Sequence, residues 1–109
     1  MTIYKAYLDD VRETPIGYMR FYSVNSLFNF ISSKIKAMGS YSNDKLIFHL
    51  DLDHDLGDFY ADGGDGINLI KKLIENGYNE LKNVEFYFFL HTMNPVGKEN
   101  MKALIDRYF

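Results

Sequence analysis

A chain of 109 residues suits one domain (1–109) with one hydrophobic core, and a composition 47% hydrophobic and 25% charged is that of an ordinary soluble globular protein. With no cysteine it has no disulfide, thiolate zinc site or thiol nucleophile, which suits a reducing cytosol, and a formal charge of −3 argues against an extended nucleic-acid surface. No apolar run nears the roughly 20 residues that span a bilayer, and no basic region with an apolar stretch opens the chain, so the expected location is cytoplasmic, with neither membrane span nor signal peptide.

Ile3 to Leu8 is predicted as a strand that stops at Asp9-Asp10, followed by a loop punctuated by Thr14-Pro15 and Gly17. The aromatic-rich run Tyr18 to Tyr22 reads as a second strand. Ser23 or Asn25 then caps a helix with Leu27, Ile31, Ile35 and Met38 at helical spacing, and Gly39 ends it. Ser40 to Lys45 is polar loop. Leu46 to Leu52 is apolar on both faces at its start, as expected of a central parallel strand. The acidic loop Asp53 to Gly64 leads to Asp65 as cap of a helix that buries Ile67, Ile70, Leu73 and Ile74 and closes at Gly77. Val84 to Leu90 is the fourth strand and His91 to Gly97 a loop. Lys98 to Tyr108 is an amphipathic helix carrying Met101, Leu104, Ile105 and Tyr108.

Strands alternating with helices imply a parallel sheet with right-handed crossovers, whose ligands bind beyond the carboxyl ends of the strands. Three predicted strand ends carry polar clusters: Asp9-Asp10, Asp53-His54-Asp55 and His91-Thr92. Carboxylates this close repel one another, and a divalent cation, Mg2+ or Mn2+, is the natural compensation, with Asp9, Asp10, Asp53 and Asp55 as ligands. The spacing Asp51-x-Asp53-x-Asp55 does not make a calcium loop, because Leu56 stands where that loop needs glycine. His54 and His91 have the chemistry of acid and base at neutral pH. Thr92 offers a hydroxyl to phosphate, Asn94 a turn or ligand contact, and Lys98 a positive charge near a helix start. The plainer alternatives are a turn capped by Asp9-Asp10, structural histidines, Asn94 as a turn residue and a solvated Lys98.

Three ordered motifs together resemble one family. Leu8-Asp9-Asp10-Val11-Arg12-x-Thr14-Pro15, Leu52-Asp53-His54-Asp55-Leu56-Gly57 and His91-Thr92-x-Asn94-Pro95-Val96-Gly97-x-x-Asn100-Met101 resemble the cyclic-phosphate processing receiver-like domains, divergent relatives of response-regulator receivers. The resemblance implies an α/β, receiver-like (flavodoxin-like) three-layer sandwich with a reduced parallel sheet of about four strands. It places Asp9, Asp10 and Asp53 where receivers hold magnesium, Asp53 at the phosphoacceptor position and Thr92 at the hydroxyl position. Arg12, His54, Asp55, His91 and Asn94 belong to the divergent family. The chain departs from ordinary receivers in three places: a Val11 to Gly17 loop replaces the first crossover helix, Lys98 stands in a loop-to-helix segment rather than after a fifth strand, and Tyr22 stands where the family often has arginine.

The expected function is metal-dependent processing of a cyclic phosphate on a nucleotide or RNA end. Asp53, His54 and His91 would act in catalysis, and Arg12, Thr92, Asn94 and Lys98 would hold phosphate. The partner is then a small phosphorylated ligand. A non-catalytic binding module and a degenerate receiver phosphorylated on Asp53 are the alternatives.

Overall fold

The computed structural model describes residues 1–39 and 43–109, so the predicted Ser40 to Lys45 loop lies partly outside the described residues. Its strands are β1 (Thr2–Leu8), β2 (Met19–Phe21), β3 (Leu46–Leu52) and β4 (Val84–Leu90). The helices are α1 (Val24–Met38), α2 (Ile67–Glu75) and α3 (Pro95–Tyr108). All strand pairs are parallel, in the order β2-β1-β3-β4. This is the receiver-like α/β arrangement with a four-stranded sheet. No helix among the described residues is long and apolar enough to cross a membrane.

β3 is the central strand, and Leu46, Ile47, Phe48, Leu50 and Leu52 are all buried in it. β2 is an edge strand of three residues that pairs only with Ala6, Tyr7 and Leu8, which leaves Tyr18 and Tyr22 outside the ladder. Ser23 caps α1 by accepting from the Ser26 amide at 3.2 Å, and Asn25 instead turns to Asp62. The cap predicted at Asp65 is absent. Its Oδ1 accepts from the Leu56 amide at 3.3 Å, so it pins the preceding loop, and Gly66 opens α2 with no side-chain cap. α2 buries Leu69 with Ile70 and Leu73, while Ile67 and Ile74 are half-buried. α3 begins three residues before the predicted start. Asn94 accepts from the Gly97 amide at 2.9 Å and Pro95 takes the first helical turn, where its missing N–H costs nothing.

All three helices lie on one face of the sheet. Connections between parallel strands are right-handed, and the paths from β2 over β1 to β3 and from β3 to β4 run the same way, which puts α1 and α2 side by side. Phe30 of α1 meets Tyr4 at 5.3 Å, and Phe109 after α3 meets Phe88 at 4.9 Å, on that same face. The path from β1 to β2 runs the opposite way and would cover the other face, but here it is a loop. That face carries Ile3, Tyr87 and Phe89 exposed, with no helix over it among the described residues. Among the described residues the expected three-layer sandwich is therefore two layers, a sheet with helices on one face, because the first crossover is a loop.

Candidate functional site

Leu8, Leu52 and Leu90 stand in register at the carboxyl ends of β1, β3 and β4. The ladder continues one residue further. The Asp9 amide donates to the Phe21 carbonyl at 3.1 Å, the Asp53 amide to Leu8 at 2.9 Å, and the His91 amide to Leu52 at 3.1 Å. Asp9, Asp53 and His91 therefore form one row at the rim, and one ligating atom from each lies within 4.8 Å of the others. The ends of β1, β3 and β4 position all three.

Asp9 is fully buried and fully partnered. Oδ1 accepts from the Val11 and Arg12 amides at 2.8 and 2.9 Å, and Oδ2 accepts from Arg12 Nη1 at 2.9 Å and lies 2.8 Å from His91 Nε2. Burial alone pushes its carboxyl up, but the two amides, the His91 ring and the Arg12 side chain outweigh it and hold the pKa well below the usual carboxylate range. Asp53, also buried, shows the opposite balance. Burial pushes its carboxyl up, the Thr92 hydroxyl opposes this, the nearby Asp9 charge adds to it, and the net pKa is raised. Its remaining partners are the His54 amide at 2.9 Å and Arg12 Nη1 at 3.6 Å.

These two shifts have opposite linkage. Asp9 stabilises the fold above its ordinary value of 3.8 and loses that contribution as pH falls below it. Ionised Asp53 destabilises, so acidification through its raised pKa relieves a penalty. The metal-free domain is expected to gain stability as pH falls through the raised Asp53 pKa toward 3.8, then lose it below 3.8. Urea unfolding across pH measures this, and Asp53→Asn should abolish the first limb only.

The other predicted site residues are placed as follows. Arg12 bridges Asp9 and Asp53 and is the local counter-charge of the row. Thr92 donates to Asp53 and accepts from the Asn94 amide at 3.1 Å. Asp10, half-buried, turns its carboxylate to the Gly57 backbone and stands beside the row. β3 stops at Leu52, so Asp55 leaves the rim and joins His54 and Asp65 in a second group. His54 Nδ1 lies 2.9 Å from Asp55 Oδ1, and its ring packs on Gly97. Asn94 caps α3 and donates to both Asp55 oxygens at 3.3 Å. Lys98 is exposed in the groove between β4 and α3 with Lys102 and Phe89, and among the described residues no ion pair joins it to Asp9 or Asp53.

Sequence reasoning missed the support of His91. Its Nδ1 lies 2.5 Å from Asp51 Oδ1, and its ring stacks on Tyr7 with centroids 4.5 Å apart and planes at 5°. Carboxylates only accept, so Asp51 favours a proton on Nδ1 and leaves Nε2 facing Asp9. The available signal was alternation along β3, which puts Asp51 on the face opposite Leu50 and Leu52.

The row lies where ligands of parallel α/β sheets bind. No curated protein and no solved structure matches the chain. A family model matches residues 4–107, nearly the whole domain, and the chain belongs to the cyclic-phosphate processing receiver domain family.

Proposed function

We propose that this domain opens a cyclic phosphate on a nucleotide or RNA end by hydrolysis, with Mg2+ or Mn2+ held by Asp9, Asp53 and His91. The observation that carries this reading is the row of two buried carboxylates and one imidazole nitrogen within 4.8 Å, in a family named for cyclic-phosphate processing. The donor set fits: hard carboxylate oxygens suit either ion, and one imidazole tilts the site toward Mn2+. A cation held by these residues would supply polarisation of a phosphoryl group.

The chain's own residues do the rest. Arg12 is anchored to the row through Nη1, and its remaining N–H donors are available to phosphate oxygens. Asp51 and Tyr7 hold the His91 ring in place. Asp51 holds His91 Nδ1 and Nε2 is the nitrogen offered to the cation, so His54 is the acid–base group, with Asp55 fixing Nδ1 of His54. In the reaction water adds to phosphorus, one P–O ester bond breaks, and the freed sugar oxygen takes a proton, giving a monoester.

The test is incubation with 2′,3′-cyclic mononucleotides and cyclic dinucleotides in Mg2+, Mn2+ or chelator, with products resolved by chromatography. Ring opening in either metal and none in chelator is the expected result. Asp53→Asn should lose roughly a hundredfold or more, the scale of several kcal/mol of transition-state stabilisation. Intact ligand under every condition would leave a binding module, and full turnover by Asp53→Asn would remove that carboxylate from the mechanism. Phosphorylation of Asp53 by a small phosphodonor would instead favour a signalling receiver.

A further inference from the structure

We propose that Tyr22 and Phe59 form a stacking platform for the base of a nucleoside cyclic phosphate, a subsite that rests on the cyclic-phosphate reading above. Tyr22 follows β2 and is 47% exposed, and Phe59 ends the short 3₁₀ turn Gly57–Phe59 and is 39% exposed. Their rings lie 5.4 Å apart at 34°. Neither belongs to the hydrophobic core, and their aromatic faces are spent on a polar rim.

Both rings are tied to the carboxylate row by short paths. The Arg20 guanidinium lies 4.5 Å from the Tyr22 ring centroid while its Nε donates to the Asp9 carbonyl at 3.0 Å. On the other side, the Gly57 backbone presses on the Asp10 carboxylate so closely that an added Cβ would lie 2.5 Å from Oδ2. Phe59 is two residues on. The rim thus sets two tilted aromatic rings, with a guanidinium against one of them, beside the segments that carry the row.

A nucleoside phosphate has those same two parts: a flat base and an anion a sugar's width away. Base stacking on an aromatic side chain is strong enough to matter and tolerates any base, because every base has a π-face. Arg20 adds cation–π support. The net charge of −3 disfavours a long phosphate backbone, so the ligand engages through one nucleotide.

The test uses the full chain and three probes: adenosine 2′,3′-cyclic phosphate, the base-free methyl ribofuranoside 2′,3′-cyclic phosphate, and adenosine alone. Binding in Mg2+ is read from NMR shifts of the Tyr22 and Phe59 rings and of the residue 9–12 and His91 amides, with KM where turnover occurs. Tyr22→Ala and Phe59→Leu should weaken the adenosine cyclic phosphate about tenfold or more and leave the base-free ligand unchanged, while Tyr22→Phe restores binding. Amide spectra of each variant check the fold.

If the adenosine cyclic phosphate binds every variant equally and shifts only the row, the platform is overturned and the cyclic-phosphate reading stands. If adenosine shifts both rings while the base-free ligand binds nowhere, the platform stands and the cyclic-phosphate reading falls. If no probe shifts any signal, both are overturned.

Discussion

Asp9→Ala is expected to lower the free energy of unfolding by about 3 kcal/mol, read from urea denaturation at neutral pH. The wild-type carboxylate is buried, accepts from two backbone amides and one guanidinium, and lies against one imidazole nitrogen. Removing one partner of a buried charge pair costs roughly 3–5 kcal/mol, because the groups left behind are desolvated without compensation. Arg12 keeps 38% of its side-chain surface in water and can rehydrate, which sets the lower end of that range. Against a typical total stability of about 5–15 kcal/mol, such a loss is large. Arg12→Ala should behave differently. It costs less in stability, since its side chain is partly solvated, but leaves Asp9 and Asp53 facing each other without a counter-charge. Its melting temperature should therefore rise more with added Mn2+ than that of the parent. Equal shifts in the two proteins would remove the carboxylate row as the metal-responsive element.

Gly66→Ala is expected to cost about 3 kcal/mol or more and to displace the Asp53–His54 segment. The residue has ordinary helical angles, φ −53° and ψ −32°, so conformational freedom is not what it supplies. A Cβ there would meet the Asp53 carbonyl oxygen at 1.9 Å, its carbon at 3.0 Å and His54 Cα at 3.3 Å. All three are backbone atoms that cannot rotate away, and the Gly66 amide also donates to the His54 carbonyl at 2.7 Å. Where space is open, Gly to Ala stabilises by about 0.4–1 kcal/mol through the unfolded state. Here the close approach reverses the sign. Urea unfolding gives the magnitude, and amide shifts of Asp53, His54 and His91 report the displacement. Gly97→Ala is the comparison. Its Cβ would meet the His54 ring at 2.5 Å, but a side chain can turn aside, so the loss should be smaller and confined to His54. A Gly66→Ala protein with parental stability and unshifted Asp53 would refute the packing account.

Much of the fold was legible along the chain. The β3 and β4 spans read as expected because four-fifths of their positions are apolar or aromatic and polar residues bound them; α1 read well because Leu27 and Ile31 repeat at helical spacing and Ser23 caps them. The three-motif resemblance reached the family, which the match over residues 4–107 bears out. Local signals failed where one residue serves two segments. Asp65 has the chemistry of a helix cap, yet its carboxylate pins the Leu56 amide. Asn94, Pro95 and Gly97 read as loop punctuation, yet they are the cap and first turn of α3. Leu69 lies beside Ile70, and a simple spacing pattern gave no reason to bury both until α2 was seen between α1 and α3.

The sequence by itself determined the strands, the helices and the polar residues that end each strand, because these depend on periodicity, caps and breakers within a few residues. It also determined that Asp9, Asp53 and His91 would share a rim, since parallel strands of equal length end together. Only the tertiary structure decided what each group does there. The contact between His91 and Asp9 joins residues 82 apart, and that between His91 and Asp51 joins residues 40 apart. Such pairs depend on strand order, register and crossover handedness, and none of these is written in local pattern. The same three factors swung Asp55 out of the row, turned Arg12 into its counter-charge and, among the described residues, left one face of the sheet without a helix.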